Sequence, residues 1–227
     1  MDGLIKAINL LFGENPELRQ IIAVTLRMSL ISTSISSLVG IPLGALIGSR
    51  EFKGKHWVQR FTNTLMGVPP VVAGLAVFLM LSRSGPLGSL KLLYSVTAMV
   101  IAQVVLITPI MTGLTATIIS IPAPRIRETA QGVGISTWRQ MGLMIYECRS
   151  QLVSTVLVGF GRAIAEVGAV QIVGGNVQYK TRVMTTAIMM QTNMGKFHFA
   201  ISLGIVLLVI SFGINALVNY LESRGNA

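Results

Sequence analysis

The sequence predicts an all-α integral membrane protein whose helices form a bundle with five membrane spans. Hydrophobic residues make up 52% of the chain, charged residues make up 11%, and the mean hydropathy is +0.71. A soluble domain of this length is much less apolar. Several runs of the sequence also reach the roughly 20 apolar residues that a membrane-spanning helix needs. We therefore expect the chain to lie within a bilayer.

A short segment, residues 1–19, precedes the first span. It contains an apolar run at residues 4–12 that Lys6 interrupts, and no cleavage signature follows this run. We expect an interfacial helix here and not a removable signal peptide.

Five apolar runs follow, and we expect them to form a single transmembrane domain over residues 1–227. Their predicted limits are residues 21–49, 61–82, 92–120, 151–173 and 197–221. The fourth run carries two ionisable residues near its middle, so its helix should face protein or water. Prolines lie within the first three runs, at Pro42, Pro69, Pro70 and Pro109, and predict kinks there.

A charged stretch of about residues 122–147 separates the third and fourth spans, and it predicts two short helices outside the membrane. Two prolines precede the first helix, and Glu128 lies in its first turn. Gly134 permits a left-handed backbone, and Ser136 can cap the second helix. Two short helices joined by a glycine can fill a groove on a partner, so we interpret the stretch as a docking element.

The basic residues of the loops predict the orientation. Segments 50–60 and 125–149 each carry four arginines or lysines and are expected in the cytoplasm, which puts the N-terminus outside and the C-terminus inside. Eight further basic residues lie on the opposite side, so the bias is small. The net charge of +10 is spread over both faces without interleaved aromatic residues, which favours lipid headgroups and not nucleic acid as the partner.

Other chemistry is excluded by what the sequence lacks. Cys148 is the single cysteine and there are two histidines, so we expect no disulfide and no metal site. Residues 48–56 lack the glycine spacing and the hydroxyl of a phosphate-binding loop. An ATP-driven role would therefore need a separate ATP-binding subunit, with this chain non-catalytic and without a cofactor.

The docking stretch resembles the EAA signature of permease subunits of ABC importers. The residues that carry the resemblance are Glu128, Thr129 and Ala130, followed after three residues by Gly134. In that family the loop forms coupling helices that sit in a cleft of the ATP-binding subunit. The resemblance implies a coupling role for a set of residues in and around the motif. The set comprises Arg127, Glu128, Thr129, Ala130, Gly134 and Trp138.

The sequence departs from the EAA signature at two positions, and these departures bear on which branch of the family it resembles. Thr129 replaces an alanine, and Glu147 stands where the family usually has proline. The glycine-rich stretch at residues 159–188 is similar to the oxyanion branch of these permeases and looks most like the tungstate permease subunit, which also tends to lack the proline. The resemblance covers about residues 20–222 and implies the five-helix bundle of a type I ABC importer permease.

Candidate residues of the translocation path or gate lie in the last third of the chain. Arg162 and Glu166 are four residues apart, and ionisable residues at membrane depth are functional candidates. Arg162 could contact a dianionic oxyanion in passage, or the two could form a structural ion pair. Gly168 belongs to a series of small residues, three or four apart, that are suited to close helix contact: Gly161, Ala165, Gly168 and Ala169. Thr185 and Thr186 lie in segment 181–195, which we expect to be a re-entrant or interfacial helix at the outer mouth.

The resemblance implies a multi-pass cytoplasmic-membrane permease that passes a tetrahedral oxyanion inward by alternating access. The substrate implied is tungstate, with molybdate or sulfate as alternatives. Expected partners are a second copy of the chain, two ATP-binding subunits that hold ATP and Mg, and an extracytoplasmic binding protein. An ATP-independent anion channel or secondary transporter is the alternative from another class, although it would leave the charged loop around Glu128 without a role.

Overall fold

Ten α-helices and one 3₁₀ turn form the part of the chain that the computed structural model describes, residues 16–225. The 3₁₀ turn is Gly88–Leu90. The helices are α1 Pro16–Ser49, α2 Lys55–Met66, α3 Pro70–Leu81, α4 Val96–Ser120, α5 Ala123–Gly132, α6 Thr137–Glu147, α7 Arg149–Ile164, α8 Gly168–Gly174, α9 Met184–Asn193 and α10 Phe197–Gly225.

Three of these helices are long and apolar enough to cross a membrane by themselves, and two bent pairs raise the number to as many as five. The three are α1, α4 and the 18-residue part Phe197–Ile214 of α10. The pairs are α2 with α3, bent by 94°, and α7 with α8, bent by 56°. The described part of the chain is thus all-helical as predicted, but two of the five predicted spans are broken helices.

Proline explains the first break. Helix α2 ends at Met66 with Gly67 as its C-cap, and Pro69 and Pro70 follow as the cap and first residue of α3. Proline has no N–H to give to a preceding turn, and it fits the first turn of a new helix. The predicted kink at this position is therefore a full break, whereas α1 and α4 continue through Pro42 and Pro109.

The start of the first span differs from its prediction. Helix α1 begins at Pro16, with Glu17 in its first turn, so residues 16–19 belong to the span and not to a separate interfacial segment. The rest of that predicted segment, residues 1–15, lies outside the described residues. Segment 181–195 forms α9, whose 10 residues are too short to span a bilayer, as predicted.

The chain divides into two compact units. The first contains residues up to Ser32 together with Pro69–Gln103 and Gly161–Asn215, and the second contains Thr33–Val68, Val104–Phe160 and the residues from Ala216 onward. The boundary falls inside α1, α4, α7 and α10, so these four helices contribute to both units. The prediction of one transmembrane domain stays a prediction.

In the second unit, α1 packs closely against α4 through glycines at every fourth position. A Cβ atom added at Gly40 would lie 2.6 Å from the Cβ of Met111, and one added at Gly44 would lie 2.5 Å from the backbone oxygen of Thr112. Gly48 continues the series. Backbones approach this closely only where side chains are absent, which is how small residues bring membrane helices together.

In the first unit, α3 packs against α8. A Cβ atom added at Gly74 would lie 2.5 Å from the Cα of Ala169, and one at Gly168 would lie 2.7 Å from the Val71 side chain. The close contact expected of Gly168 and Ala169 is observed, while a role of Gly168 in the path or gate stays a prediction. Gly161 and Ala165, which were grouped with them, are exposed, and Gly161 lies on the other side of the helix break, in α7.

The contact of α1 with α4 predicts that alanine is more destabilising at Gly44 than at a glycine outside the contact. Gly44→Ala should lower the midpoint of thermal unfolding in detergent by about 5 °C or more, because overpacking against a backbone costs about 1–3 kcal/mol. Gly204→Ala in α10 is the matched control, since nothing lies within 4 Å of its added Cβ. Equal midpoints for the two variants would contradict the close packing.

Candidate functional site

The predicted docking element is a helical hairpin of α5 and α6 that rests on the ends of neighbouring helices. Ala123 and Ala130 of α5 are buried, as is Met144 of α6. Ala123 and Met144 belong to an apolar cluster of the second unit. The cluster comprises Ala45, Ile119, Ala123, Met144, Cys148 and Leu152. The inner face of the hairpin is therefore fixed to α1, α4 and α7.

Gly134 ends α5 in the left-handed conformation that was predicted for it. Its φ angle is +70°, and the N–H of Ile135 donates to the carbonyl oxygen of Ala130 at 2.9 Å. This is the six-to-one hydrogen bond of a Schellman helix end, which needs a residue with positive φ just before it. Ser136 stands at the N-cap of α6, but among the described residues its side chain makes no capping hydrogen bond. Gln140 instead donates from Nε2 to the carbonyl oxygen of Ile135 at 2.8 Å.

The predicted coupling residues divide into an outward and an inward set. Glu128 and Thr129 are exposed on α5, while Ala130 is 3% exposed. Arg127 points inward and donates from Nη2 to the carbonyl oxygen of Ser49 at 2.6 Å. A partner could therefore reach Glu128 and Thr129 more readily than Arg127.

Trp138 on α6 is largely exposed but has a contact within the chain. Its side chain is 67% exposed, and the guanidinium carbon of Arg50 lies 5.2 Å from the centre of its ring. This distance is within the range of a cation–π interaction. Both Arg127 and Trp138 thus join the hairpin to the C-terminal end of α1.

An open apolar groove of about 680 Å³ lies along the hairpin. Its lining includes four large hydrophobic side chains that are 46–77% exposed. They are Ile121, Val133, Leu143 and Tyr146. Contiguous exposed apolar residues next to charged ones are typical of a surface that binds another protein.

The second candidate site lies in the first unit, where the chain breaks between α7 and α8. Arg162 is in the last turn of α7, and Glu166 is in the break, so the two are not on one continuous helix as predicted. Arg162 Nη1 nevertheless lies 2.9 Å from Glu166 Oε2, an ion pair within the chain. The Glu166 side chain is 4% exposed and that of Arg162 is 37% exposed.

Glu166 also holds the start of α8. Its Oε1 accepts a hydrogen bond from the N–H of Ala169 at 3.1 Å, while its other oxygen faces Arg162. The first N–H groups of a helix have no partner inside the helix, so a carboxylate in this position satisfies one of them. Arg162, Glu166 and the first turn of α8 therefore form one connected group.

The two threonines predicted at the outer mouth are buried and hydrogen-bonded. Thr185 is 8% exposed and donates to the backbone oxygen of Glu166 at 2.8 Å. Thr186 is 1% exposed, and its hydroxyl accepts from the N–H of Val183 and lies 3.0 Å from Asn176 Oδ1. Thr185 thus lies beside the break between α7 and α8, whereas Thr186 caps the start of α9.

Gln103 is a site residue that the sequence interpretation missed. It is fully buried in α4, donates from Nε2 to the carbonyl oxygen of Ala163 at 2.7 Å, and accepts from Ser32 Oγ at 2.6 Å. Ala163 lies in the last turn of α7, so Gln103 supports the turn that carries Arg162. A glutamine within a long apolar run is itself a signal, because polar groups at membrane depth need a partner.

The chain matches one family model and is similar to known proteins over nearly their whole length. The model described as binding-protein-dependent transport system inner membrane component matches residues 40–225. The tungstate uptake system permease protein TupB of Peptoclostridium acidaminophilum is 41% identical over 98% of this chain and 98% of its own. The protein of the same name from Campylobacter jejuni is 36% identical over 97% of this chain and 92% of its own.

A solved structure of low sequence identity has the same fold. It is the crystal structure of a bacterial alginate ABC transporter in complex with an alginate pentasaccharide-bound periplasmic protein. The likeness covers 99% of this chain and 87% of the matched chain, with a TM-score of 0.76 and 20% identity.

The left-handed turn between α5 and α6 predicts an order among substitutions at Gly134. Alanine in this conformation costs about 1–2 kcal/mol, whereas asparagine tolerates it. Gly134→Ala should therefore raise the initial rate of tryptic cleavage at the exposed arginines of the hairpin about fivefold, with a smaller rise for Gly134→Asn. Cleavage at the same rate in the parent and both variants would contradict the assigned role.

The buried carboxylate of Glu166 predicts that the stability of the fold depends on charge balance at the α7–α8 break more than on either side chain alone. Arg162→Gln leaves Glu166 buried without its partner and should lower the thermal midpoint by more than about 5 °C. The double variant Arg162→Gln with Glu166→Gln should unfold at a higher temperature than the single Arg162→Gln variant. A double variant less stable than the single one would show that the pair does not balance charge.

Proposed function

Because the chain belongs to the family of binding-protein-dependent transport system inner membrane components, we propose that it forms the membrane pathway of an ATP-driven importer for tungstate. Tungstate is proposed as the substrate because the chain is 41% and 36% identical, over nearly its whole length, to two permeases named for tungstate uptake. The chain is a multi-pass membrane protein by its family and its apolar helices. Molybdate and sulfate, which are also tetrahedral dianions, are the other substrates to test.

The α5–α6 hairpin is the proposed docking site for a separate ATP-binding subunit, which would hold ATP and Mg and carry out hydrolysis. Support comes from the exposed groove and from the outward position of Glu128 and Thr129. The inner face of the hairpin packs on α1, α4 and α7, so movement of the hairpin would be passed to these helices. The permease chain would itself remain non-catalytic.

The assembly proposed contains two copies of this chain, two ATP-binding subunits and one extracytoplasmic binding protein. The matched alginate ABC transporter was solved with a periplasmic protein, which supports a delivery protein of this kind. The hairpin and its arginines would face the cytoplasm, with the N-terminus outside and the C-terminus inside. Two copies are proposed because a homodimer is what membership of this family implies.

The path proposed for the anion passes the break between α7 and α8. Arg162 is the cation available there, and its guanidinium has five N–H donors, of which one Nη group faces Glu166. The paired carboxylate offsets much of the attraction of Arg162 for a dianion, so the anion would be passed on and not retained. Gly168 allows close contact with α3, and Thr185 bonds to the backbone at the break. Thr186 would act indirectly, by capping α9.

Alternating access follows from these parts. Closure of the ATP-binding subunits would displace the hairpins, and the helices joined to them would switch the passage between outward and inward access. Broken helices suit such a change, because a break allows the two halves to reorient without unwinding a continuous helix. Selectivity for the oxyanion would reside mainly in the binding protein.

The docking proposal predicts that one exposed valine is needed for the ATP-binding subunit to remain attached. Val133 is 74% exposed in the groove, so Val133→Asp should leave the fold intact and remove that subunit from the purified complex. The control is Val177→Asp, the same change at a valine that is 41% exposed in the turn after α8. Retention of the subunit by Val133→Asp, in the parent's proportion, would count against docking on the hairpin.

The path proposal predicts that the cation at position 162 is needed for uptake. The charge-balanced double variant Arg162→Gln with Glu166→Gln, measured in proteoliposomes with its partner proteins, should reduce tungstate uptake at least about tenfold. Arg83→Gln, at an exposed arginine outside the pair, is the control. Normal uptake by the folded double variant would remove Arg162 from the path.

A further inference from the structure

Helix α1 is joined by side-chain bonds at one end to the α5–α6 hairpin and near its other end to the start of α9. It is one helix of 34 residues, Pro16–Ser49, and at about 1.5 Å per residue it is roughly 50 Å long. Its C-terminal part belongs to the second unit and its N-terminal part to the first. The contacts at its two ends indicate that α1 could pass a displacement from one end to the other.

At the C-terminal end, Arg127 of α5 donates a hydrogen bond to the carbonyl oxygen of the last residue of α1. Its Nη2 donates to the carbonyl oxygen of Ser49 at 2.6 Å, and the side chain is partly buried. The last carbonyls of a helix have no partner in the helix and carry partial negative charge, so an arginine is favoured there. Arg50, the next residue, lies over the ring of Trp138 on α6. Both helices of the hairpin thus contact the same end of α1.

Near the N-terminal end, α1 holds the segment that leads into α9. Thr25 Oγ1 accepts a hydrogen bond from the N–H of Met184 at 2.9 Å, and Thr25 is 1% exposed. Glu17 pairs with Arg182 at 2.7 Å, with side chains 23% and 11% exposed. The hydrogen bond supplies a partner to the first N–H of α9, which would otherwise be unsatisfied in a buried position.

The helices α4 and α7 are joined to the hairpin through a few residues of chain, but α1 is not. The chain leaves α1 at Arg50 and returns to the hairpin more than 70 residues later, so the bonds from Arg127 and Arg50 attach it there. The glycine contacts with α4 keep the same half of α1 in register with its neighbour. Any displacement of the hairpin would therefore act on α1 as well.

We propose that α1 transmits the displacement of the α5–α6 hairpin to residues 182–186, with Arg127 and Thr25 as the positioning residues at its two ends. This inference rests on the proposed function, since it assumes that an ATP-binding subunit moves the hairpin. It assigns Arg127 to the internal linkage and not to contact with that subunit. Thr185, whose hydroxyl bonds to the backbone of Glu166, lies within the segment that α1 would move.

The experiment measures ATP hydrolysis and tungstate uptake in the same proteoliposomes, which contain the chain with its ATP-binding subunit and binding protein. Arg127→Met removes the donor to Ser49 and Thr25→Val removes the acceptor for Met184. Each should retain the ATP-binding subunit and hydrolysis while lowering tungstate transported per ATP about tenfold, the change expected for one charged or buried hydrogen bond. Arg127→Lys, which can reach the same carbonyl, should recover much of the loss.

Two controls match these changes. Arg139→Met removes an exposed arginine from α6, and Ser37→Ala removes an α1 hydroxyl that donates to the Thr33 carbonyl of its own helix. Both should keep the parent's ratio of transport to hydrolysis. The double variant Arg127→Met with Thr25→Val should show no more loss than the worse single variant, because both bonds act through one helix.

Three results would overturn the proposal. One is an unchanged ratio in Arg127→Met that still binds the ATP-binding subunit. Another is a double variant whose loss equals the product of the two single losses. The third is loss of the subunit from Arg127→Met, which would place Arg127 in the docking surface. If the unsubstituted chain does not bind an ATP-binding subunit at all, the proposed function fails first, and that failure is distinct from the other three.

Discussion

A helix that ends inside or beside a membrane leaves backbone groups without partners, and this structure depends on side chains that supply them. In hydrocarbon no water can replace a missing hydrogen bond, so each unsatisfied group costs several kcal/mol. Glu166 accepts from the first turn of α8, Gln103 donates to the last turn of α7, and Thr181 donates to the final carbonyl of α8. Thr25 and Arg127 do the same for α9 and α1. These five bonds pair backbone groups that helix ends and breaks would otherwise leave without partners.

The same bonds determine where the structure can move. A continuous helix resists bending along its whole hydrogen-bond ladder, whereas a helix end held by one side chain can be released at the cost of one bond. Such ends occur at the α7–α8 break, at the start of α9 and where α5 meets α1, which are the places that the proposed function needs to change. Glu166 is the most constrained of these groups, because it satisfies a helix end and a buried charge together. The glycine contacts of α1 with α4 and of α3 with α8 do the opposite and keep pairs of helices in fixed register.

Much of the fold could be predicted because hydrophobic runs report membrane spans directly, and the hairpin could be predicted from its prolines and Gly134. The predicted start of α5 was too late, because the helix begins at Ala123, so Pro124 lies inside it and Glu128 is not in its first turn. The break at residues 165–167 was not predictable, since Ala165, Glu166 and Val167 carry no proline or glycine signal and the break is stabilised by tertiary bonds. Arg127 was singled out from the sequence, and its role in coupling stays a prediction, whereas its inward direction depends on the end of α1, 78 residues away. Two signals were present and missed. Glycines at positions 40, 44 and 48 mark a close helix contact, and Gln103 marks a buried polar partner.

The measurement that tests the account most directly is tungstate uptake into proteoliposomes that hold this chain, with the ATP-binding subunit, ATP and the binding protein each omitted in turn. The account predicts uptake when all are present and none above empty vesicles when any one is omitted, because the passage alternates only when hydrolysis drives it. Tungstate flux through vesicles that contain the chain alone, without ATP, would contradict it. Such a flux would identify an anion channel or secondary transporter.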